Sequence, residues 1–365
     1  MITTDTIAQS RLQNQHLLSH QSLNPQEIVT WLGAVQAQDY LAAKWALGRR
    51  LQHTTDQDIE KVFNEGSILR THIMRPTWHF VVPEDIRWIL NLTSARVHAV
   101  NASMYRKLEL DEKLLFRCHT ILSNALSGGR QLTRTELAES LKQSGVIASG
   151  QRLAYIIMHA ELEALICSGP RREKQFTYAL LSERAPKGKT LDRDESLAEL
   201  ALRYFSSHGP ALLKDFAWWS GLTLKEANEG VHLAKSQLIQ ETLDNKTYCF
   251  SPHTQTGLSQ STTAFLLSIY DEYTIAYKDR SAISHEKYIE KLFSMGNFLN
   301  SVIILNGQVA GTWKRLFKKG KVEITINPLK PLSPSEHEAT AAEALRYSQF
   351  LEMPLVCNCS GPSNA

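Results

Sequence analysis

The stretch LTRTELAESLKQSG, residues 132–145, decides the fold because it contains the start, the buried face and the end of one helix. Thr133 and Glu136 have the spacing of a capping box, in which each side chain accepts a hydrogen bond from the other residue's backbone N–H. Leu137 and Leu141 would then share one helical face, and Gly145 can end the helix in a left-handed conformation. The stretch therefore predicts a short amphipathic helix.

The residues that follow extend this helix into a larger plan. Ser149 can cap a second helix over residues 150–165, which carries an apolar face. Two short apolar runs, LICSG at 165–169 and FTYALL at 176–181, flank the polar turn PRREKQ and predict a hairpin. Helix, turn, helix and hairpin in this order are typical of a winged helix.

The same order returns in residues 209–250. Gly221 separates two predicted helices there, and Thr223 with Glu226 forms another capping box before a helix that should run to about Leu238. A hairpin then turns at Asp244-Asn245. Two units with matching caps and order indicate a structural repeat.

The N-terminal third reads as a looser copy of this unit. Asn24, Pro25 and Glu27 predict a capped helix that runs to about Gln36, and further helices should follow at about 41–51 and 55–64. LRTHIM and WHFVV, on either side of a turn at Arg75-Pro76-Thr77, predict the hairpin.

The C-terminal part is richer in strands, with a turn at Asn306-Gly307, a helix at about 333–351 and a last strand PLVCNC. We expect it to form a small β-barrel or a strongly curved sheet. The fold class is therefore α+β: three tandem winged-helix units followed by a small C-terminal β-barrel. The expected boundaries are 1–125 for the first unit with its extra helices, 126–185 for the second, 190–258 for the third and 262–365 for the barrel.

Composition excludes several classes of protein. With 365 residues, 43% hydrophobic and 21% charged, the chain can bury a core and is too long for one ordinary domain. It has no apolar run of about 18 residues and no apolar segment near its start, which predicts neither a membrane span nor a signal peptide. Five scattered cysteines favour reduced thiols and a cytoplasmic location. We expect a monomer.

The net charge of +3 is too small to prove a polyanionic partner, so the distribution of charge matters more. KRLFKKGK at 314–321 contains five basic residues and no acidic one, and RREK at 171–174 is a smaller basic cluster. Each could be an ordinary solvated hairpin tip, but several on predicted hairpins favour contact with DNA phosphates. The candidate contacts are Arg171, Arg172, Lys314, Arg315, Lys318 and Lys319.

The stretch AVQAQDY, residues 34–40, places Gln36 and Gln38 on either side of Ala37, with Asp39 directly after. By themselves such glutamines would be read as a polar helix end. Four stretches change that reading: AVQAQDY, LRTHIMRPTWHFVVPEDIRW (69–88), YDEYTIAYKDR (270–280) and LNGQVAGTWKR (305–315). In this order they resemble the bacterial winged-helix DNA glycosylases of the AlkZ/YcaQ type, over nearly the whole chain.

The resemblance implies a fold of three winged helices and a β-barrel, and an enzyme that removes alkylated purines and interstrand-crosslinked bases from double-stranded DNA. The family's catalytic signature is Gln, an apolar or small residue, then Gln or Asp, which falls here on Gln36, Ala37 and Gln38. Asp39 is an alternative general base. His72 and His79 flank the predicted turn, and Arg75 with His79 would contact DNA beside the lesion.

Alternatives stay open for several residues. The polar motif of Asp271, Glu272, Tyr273, Asp279 and Arg280 could supply the paired carboxylates of a glycosidase. The favoured reading is structural, with Asp279 and Arg280 paired to fix the barrel against the third winged helix. At least one of Trp218 and Trp219 should be buried, and base stacking is the less common use.

The sequence shows no Gly-rich phosphate loop, zinc-type spacing or Cys–His nucleophile pair, so we expect no cofactor and no metal. No lysine lies within the signature, which favours simple hydrolysis. The expected function is a monofunctional DNA glycosylase acting on cationic N7- or N3-alkylated purines. Its rivals are a non-catalytic, regulatory DNA-binding protein and a protein-binding scaffold.

Overall fold

A computed structural model describes residues 2–18, 22–254, 261–284, 288 and 301–359. The first unit contains helices before, between and after the strands of a small sheet. Its elements are α1 Thr4–Asn14, α2 Pro25–Leu32, β1 Val35–Gln36, α3 Tyr40–Gly48, α4 Asp56–Glu65, β2 Leu69–Ile73, β3 Arg75–Val81 and the long α5 Ile86–Lys107.

The second and third units repeat one order of elements. The second contains α6 Glu112–Leu126, β4 Leu132–Thr133, α7 Arg134–Gln143, α8 Gly150–Leu162, β5 Ile166–Ser168 and β6 Thr177–Leu180, followed by α9 Leu181–Arg184. The third contains α10 Arg193–Ser207, β7 Ala211–Leu212, α11 Leu213–Ser220, α12 Leu224–Leu233, β8 Ile239–Leu243 and β9 Lys246–Phe250.

Each unit has a three-stranded antiparallel sheet of the same topology. The strand orders are β1-β3-β2, β4-β6-β5 and β7-β9-β8, so the short first strand always pairs with the last. The repeat expected from the sequence is therefore present in the order of elements. The assignment of each unit as a winged helix, and the four domain boundaries, stay predictions.

The three capping boxes are confirmed, whereas Ser149 stands at the N-cap of α8 without a side-chain capping hydrogen bond. Reciprocal capping boxes join Asn24 to Glu27, Thr133 to Glu136 and Thr223 to Glu226. The hairpin of β8 and β9 turns at Asp244 and Asn245, which both have positive φ. However, α12 ends at Leu233, and a turn of 3₁₀ helix follows at Lys235–Gln237, before the predicted end at Leu238.

The predicted helix from Pro25 to Gln36 is wrong at its C-terminal end. Gly33 has φ +81, which ends α2 at Leu32. Val35 and Gln36 then pair with Phe80 and His79 of β3. A two-residue strand has no detectable periodicity, so the sequence pattern alone places Val35 at one more helical position.

The predicted turn at Arg75-Pro76-Thr77 is also displaced. These residues begin β3, and the chain reverses at Met74, which has φ +62 and is buried. Its backbone N–H donates to Thr93 Oγ1 over 3.2 Å. A non-glycine residue with positive φ is uncommon, so sequence alone favours the Pro-containing tripeptide.

The C-terminal region contains β10 Ala264–Leu267, α13 Glu272–Ile275, β11 Val302–Leu305, β12 Gln308–Lys318, β13 Lys321–Pro328, α14 Pro334–Phe350 and β14 Leu355–Cys359. The turn at Asn306-Gly307, the helix and the last strand are as predicted. The closed β-barrel is wrong. In the described residues the strands form an open sheet, β10-β11-β12-β13-β14, with β10 and β14 at opposite edges. Helix α14 packs against both edge strands.

The C-terminal sheet is joined to the first unit through a shared core. Trp45 of α3 packs against Tyr347 and Phe350 of α14, and its indole N–H donates to the backbone oxygen of Leu266 over 2.7 Å. Nearby, Arg50 forms two hydrogen bonds of 2.8 Å with the carboxylate of Asp271. Both side chains are almost fully buried. The C-terminal region is thus fixed to α3 and the turn after it, which directly follow Gln36 and Gln38 in the chain.

No helix within the described residues combines the length and the apolar character that crossing a membrane requires.

We predict that Arg50→Met lowers the free energy of unfolding by roughly 3–5 kcal/mol, because it leaves the buried carboxylate of Asp271 without its cation. Arg50→Met combined with Asp271→Asn should be less destabilised than Arg50→Met alone, since the uncompensated charge is gone while asparagine can still cap α13. Urea unfolding measures both. The control is Lys61→Met, which removes only an exposed pair and should change stability by less than about 0.5 kcal/mol. Equal losses in all three variants would contradict this account.

Candidate active site

Strand β1 delivers Gln36 into the interior. Its side chain is only 6% exposed, and its Oε1 accepts a hydrogen bond of 3.0 Å from Arg75 Nη2. Its backbone N–H donates to Glu272 Oε1 over 2.8 Å. Both the main chain and the side chain of Gln36 are therefore held by charged groups from other parts of the fold.

Glu272 is the buried centre of this arrangement. Its side chain is fully buried, and Oε2 accepts a hydrogen bond of 3.0 Å from the indole N–H of Trp219. His208 Nε2 lies 3.6 Å from the same oxygen. Each carboxylate oxygen thus has a polar neighbour, as a buried charge requires. Glu272 is a structural support for Gln36 and not one half of an open carboxylate pair.

The small residue between the glutamines is also fixed. The N–H of Ala37 donates to Trp78 O over 2.7 Å, and its carbonyl accepts from Arg70 Nε over 3.0 Å. The guanidinium of Arg70 lies over the rings of Trp78 and Phe176, at 4.3 and 4.6 Å from their centroids. Burial lowers the pKa of Arg70 to about 10. Sequence reasoning missed this arginine, whose partner is a backbone carbonyl.

Gln38 lies in a different environment from Gln36. It is exposed, and its Oε1 accepts a long hydrogen bond of 3.4 Å from the backbone N–H of Trp78. It lines a cleft of about 1020 Å³, together with residues from α3, α4 and the β5–β6 turn. Gln36 is not among the lining residues. One glutamine is therefore held in the interior, while the other faces a space that could admit a ligand.

Asp39 is the N-cap of α3. Its Oδ1 accepts from the N–H of Ala42 over 2.9 Å, and Arg315 Nη2 lies 3.8 Å from the same atom. The carboxylate is thus engaged by a helix terminus and faces a cation from β12, although the residue also lines the cleft. Both contacts engage the carboxylate and compete with its use as a base.

Arg75 and His79 extend the site along β3. Burial lowers the pKa of Arg75, and the carboxylate of Glu272 opposes this effect. His79 is fully buried, and its Nδ1 lies 2.9 Å from the carbonyl oxygen of Thr77. A carbonyl only accepts, so Nδ1 carries the proton and the neutral ring keeps an acceptor at Nε2. Burial, followed by the charge of Arg75, holds the pKa of His79 well below its usual range.

Helix α11 supports both edges of this arrangement. Gly33, just before β1, lies against the indole of Trp219, where an added Cβ would be 3.3 Å from the ring. Gly221 ends α11 with φ +74, and a Cβ there would lie 2.2 Å from the backbone oxygen of Met74. The position of β1 and of the β2–β3 turn therefore depends on the third unit. Trp219 is fully buried, which confirms that at least one tryptophan of the pair belongs to the core. Trp218 is 45% exposed.

A family model described as DNA glycosylase AlkZ-like matches residues 29–350. The chain belongs to the AlkZ-like DNA glycosylase family. A curated relative, the interstrand DNA cross-link repair glycosylase of Streptomyces sahachiroi, is 21% identical over 94% of this chain and 96% of its own length. The solved structure of the Streptomyces sahachiroi DNA glycosylase AlkZ covers 98% of this chain and 99% of its own, with a TM-score of 0.79 and 19% identity. The fold is therefore that of this solved AlkZ.

In this AlkZ-like glycosylase the DNA-contact role of Arg75 and His79 on β3 stays a prediction. The other predicted DNA contacts fall into two groups. Arg171 and Arg172 already have protein partners. Arg171 Nη1 lies 3.4 Å from both oxygens of Glu60, and Arg172 Nη1 donates to Glu136 over 2.8 Å. Arg171 is half-buried in the cleft wall, over the rings of Tyr40 and Phe176. The role of both arginines as DNA contacts stays a prediction.

The second group lies on the β12–β13 hairpin. Lys314, Lys318 and Lys319 are exposed, and Lys318 pairs with Glu323 over 2.7 Å. Arg315 is half-buried and donates to Tyr347 Oη over 2.7 Å, next to Asp39. Arg315 thus brings the hairpin beside Asp39, and the three lysines add exposed positive charge to the same hairpin.

We predict that the ring of His79 stays neutral from about pH 5 to 8, where an ordinary histidine titrates. Its burial makes the charged form costly, and its Nδ1–H is already committed to Thr77. Nitrogen chemical shifts from two-dimensional NMR would show one protonated Nδ1 and one unprotonated Nε2 throughout. Free histidine in the same buffer is the control, with a midpoint near 6.5.

The lowered pKa of His79 also makes the stability of the fold depend on pH. Below about pH 6.5 the unfolded chain binds a proton at this residue and the folded protein does not, so the free energy of unfolding should fall as the pH falls. A titration of the folded ring with a midpoint near 6.5 would show that His79 is accessible to solvent.

Proposed function

We propose that this AlkZ-like protein is a monofunctional DNA N-glycosylase that hydrolyses the N-glycosidic bond of cationic N7- or N3-alkylated purines, including crosslinked bases. The observation that carries the proposal is the pair of amides on one short segment: Gln36 fixed by Arg75 and Glu272, and Gln38 in the wall of the cleft. We propose that it acts on double-stranded DNA, as a monomer and without a cofactor.

Two neutral amides suit this reaction because the lesion supplies part of the catalysis. A purine alkylated at N7 or N3 carries a positive charge and leaves as a neutral base, so no strong general acid is needed. The transition state instead places positive charge on the sugar, as an oxocarbenium ion. What remains is to position a water molecule and to direct negative dipole ends toward the sugar.

In this proposal Gln38 positions the attacking water molecule. It is the exposed member of the pair, and an amide carbonyl can accept a hydrogen bond from water without titrating near neutral pH. Gln36 is the positioning partner, because its own carbonyl is held by Arg75 and its main chain by Glu272. Asp39 is the weaker candidate, since its carboxylate already caps α3.

The size of the cleft is compatible with a bulky substrate. Its volume of about 1020 Å³ lies at the upper end of the range for small-molecule pockets. The Streptomyces sahachiroi relative is named for repair of interstrand cross-links, a lesion far larger than a methyl group. A crosslink through a purine N7 would also carry the positive charge that the amide mechanism requires.

The exposed lysines of the β12–β13 hairpin are the proposed phosphate contacts. Lys314, Lys318 and Lys319 would bind the DNA backbone without reading sequence, so affinity should fall as salt rises. Arg315, 3.8 Å from Asp39, would link this hairpin to the catalytic segment. The first unit, residues 1–125, would then hold the chemistry, while the C-terminal region holds the DNA.

We predict that Gln38→Ala lowers single-turnover excision of N7-methylguanine by roughly ten- to a thousandfold, the range for removal of one preorganised polar group. DNA affinity should change little, because the amide acts on charge that appears only in the transition state. Gln36→Ala should have a similar or smaller effect. Free base measured by chromatography and binding measured by fluorescence anisotropy separate the two quantities.

Two further variants sharpen this comparison. Asp39→Asn keeps a good N-cap for α3 and removes only the charge, so it should stay near the wild-type rate. Gln151→Ala, at an exposed glutamine of α8, is the matched control. Loss of activity in Asp39→Asn, with Gln38→Ala unaffected, would transfer the catalytic role to Asp39. Wild-type rates in both glutamine variants would place the chemistry elsewhere.

We predict that excision is confined to lesions that already carry a positive charge. N7-methylguanine should be released from a duplex, whereas uracil and hypoxanthine should not, because neither glutamine can protonate a neutral leaving base. The rate should vary little between about pH 6 and 8, since glutamine has no proton to lose there. Robust release of a neutral base would overturn the amide mechanism. Salt-sensitive DNA binding without release of any base would favour the non-catalytic alternative.

A further inference from the structure

Three histidines and one glutamate converge where the first and second units meet. His98 lies on α5, His119 on α6 and His159 on α8, and Glu163 is the C-cap residue of α8. None of them lines the cleft beside Gln38. The three histidines are far apart in sequence, so no zinc-type spacing marks them along the chain.

The side chains lie close enough to share one ion. One ligand atom from each of His98, His159 and Glu163 lies within 4.8 Å of the other two. His98 Nε2 lies 3.0 Å from a carboxylate oxygen of Glu163. With Zn–N distances of about 2.0–2.1 Å, ligand atoms in a tetrahedral site are roughly 3.3 Å apart. Small side-chain rotations would therefore be enough to close the site.

The second nitrogen of each histidine is already bound to a protein group. His98 Nδ1 lies 2.8 Å from Tyr105 Oη, and His159 Nδ1 lies 3.1 Å from His119 Nε2. In protein metal sites the imidazole nitrogen that does not bind the ion is normally hydrogen-bonded, and this bond orients the ring. Tyr105 and His119 occupy that place here and leave Nε2 of His98 and of His159 for an ion.

The cluster is open to solvent on one side. Glu163 is about half exposed, which provides a path from solvent.

We propose that His98, His159 and Glu163 bind a divalent transition-metal ion of the zinc class, with His119 and Tyr105 orienting the two rings. Two imidazoles and one carboxylate form a ligand set that zinc accepts, with a further position left to water. The ion would connect α5, which directly follows β3, to α8 of the second unit. It does not touch the candidate active site, so its role is to hold two units together.

The test is metal binding by tag-free full-length protein. Cys357 and Cys359 are exposed on β14 and could also take up zinc, so the parent for the experiment carries Cys357→Ser and Cys359→Ser. Co²⁺ is titrated and its ligand-field absorption recorded, and Zn²⁺ is then titrated against a chromophoric chelator. One ion per chain is expected, with a cobalt spectrum typical of low coordination number.

Variants separate ligands from orienting residues. His98→Gln, His159→Gln and Glu163→Gln should each abolish the cobalt spectrum. Tyr105→Phe and His119→Gln should retain it but weaken zinc affinity by roughly 10- to 100-fold, the usual effect of removing an orienting partner. His337→Gln, at an exposed histidine of α14, is the matched control and should bind as the parent does.

Zinc should also raise the melting temperature of the parent and not of His159→Gln, because an ion that binds only the folded chain stabilises it. Circular dichroism without metal shows that each variant is folded. The proposal is overturned if the parent takes up no ion, or if uptake survives in His159→Gln and Glu163→Gln. None of these readouts depends on glycosylase activity.

Discussion

The buried pair of adjacent carboxylates, Asp271 and Glu272, is the constraint on which the rest of the structure depends. Neither is exposed, and a buried charge without partners costs several kcal/mol. Asp271 takes both of its main contacts from Arg50, while Glu272 takes its contacts from Trp219 and the main chain of Gln36. These partners come from the turn after α3, from α11 and from β1. All three must be in place together, so the candidate site forms only as the separate parts of the chain pack.

Much of the local structure could be predicted because its signals lie within a few residues. The capping boxes and the Asn306-Gly307 turn are local contacts between near neighbours. The failures all involve distant partners. β1 is a strand only because β3 lies beside it, and the turn at Met74 exists because its buried side chain and Thr93 hold an unusual backbone. The alternation of β13 predicts a strand with one buried face, but it contains nothing about whether the sheet edges meet.

The candidate site shows the same division. The resemblance of AVQAQDY drew attention to both glutamines, but only the structure separates a buried Gln36 from an exposed Gln38. Glu272 and Arg70 stood within recognised stretches, but the sequence did not show their partners, which are remote along the chain. His208 had no signal of its own. Membership of the AlkZ-like family identifies the fold, and the contacts of the two amides give the proposed chemistry its physical basis.

The contact between Gly221 and the carbonyl of Met74 has a consequence for how this protein tolerates change. A single methyl group at position 221 would stand 2.2 Å from a backbone oxygen, and the glycine's φ of +74 already disfavours any side chain. The turn that carries Arg75 would have to move, and with it the hydrogen bond to Gln36. A screen for inactive clones would therefore recover position 221 together with the glutamines. Loss of function there would come from a residue that has no side chain to contribute to chemistry.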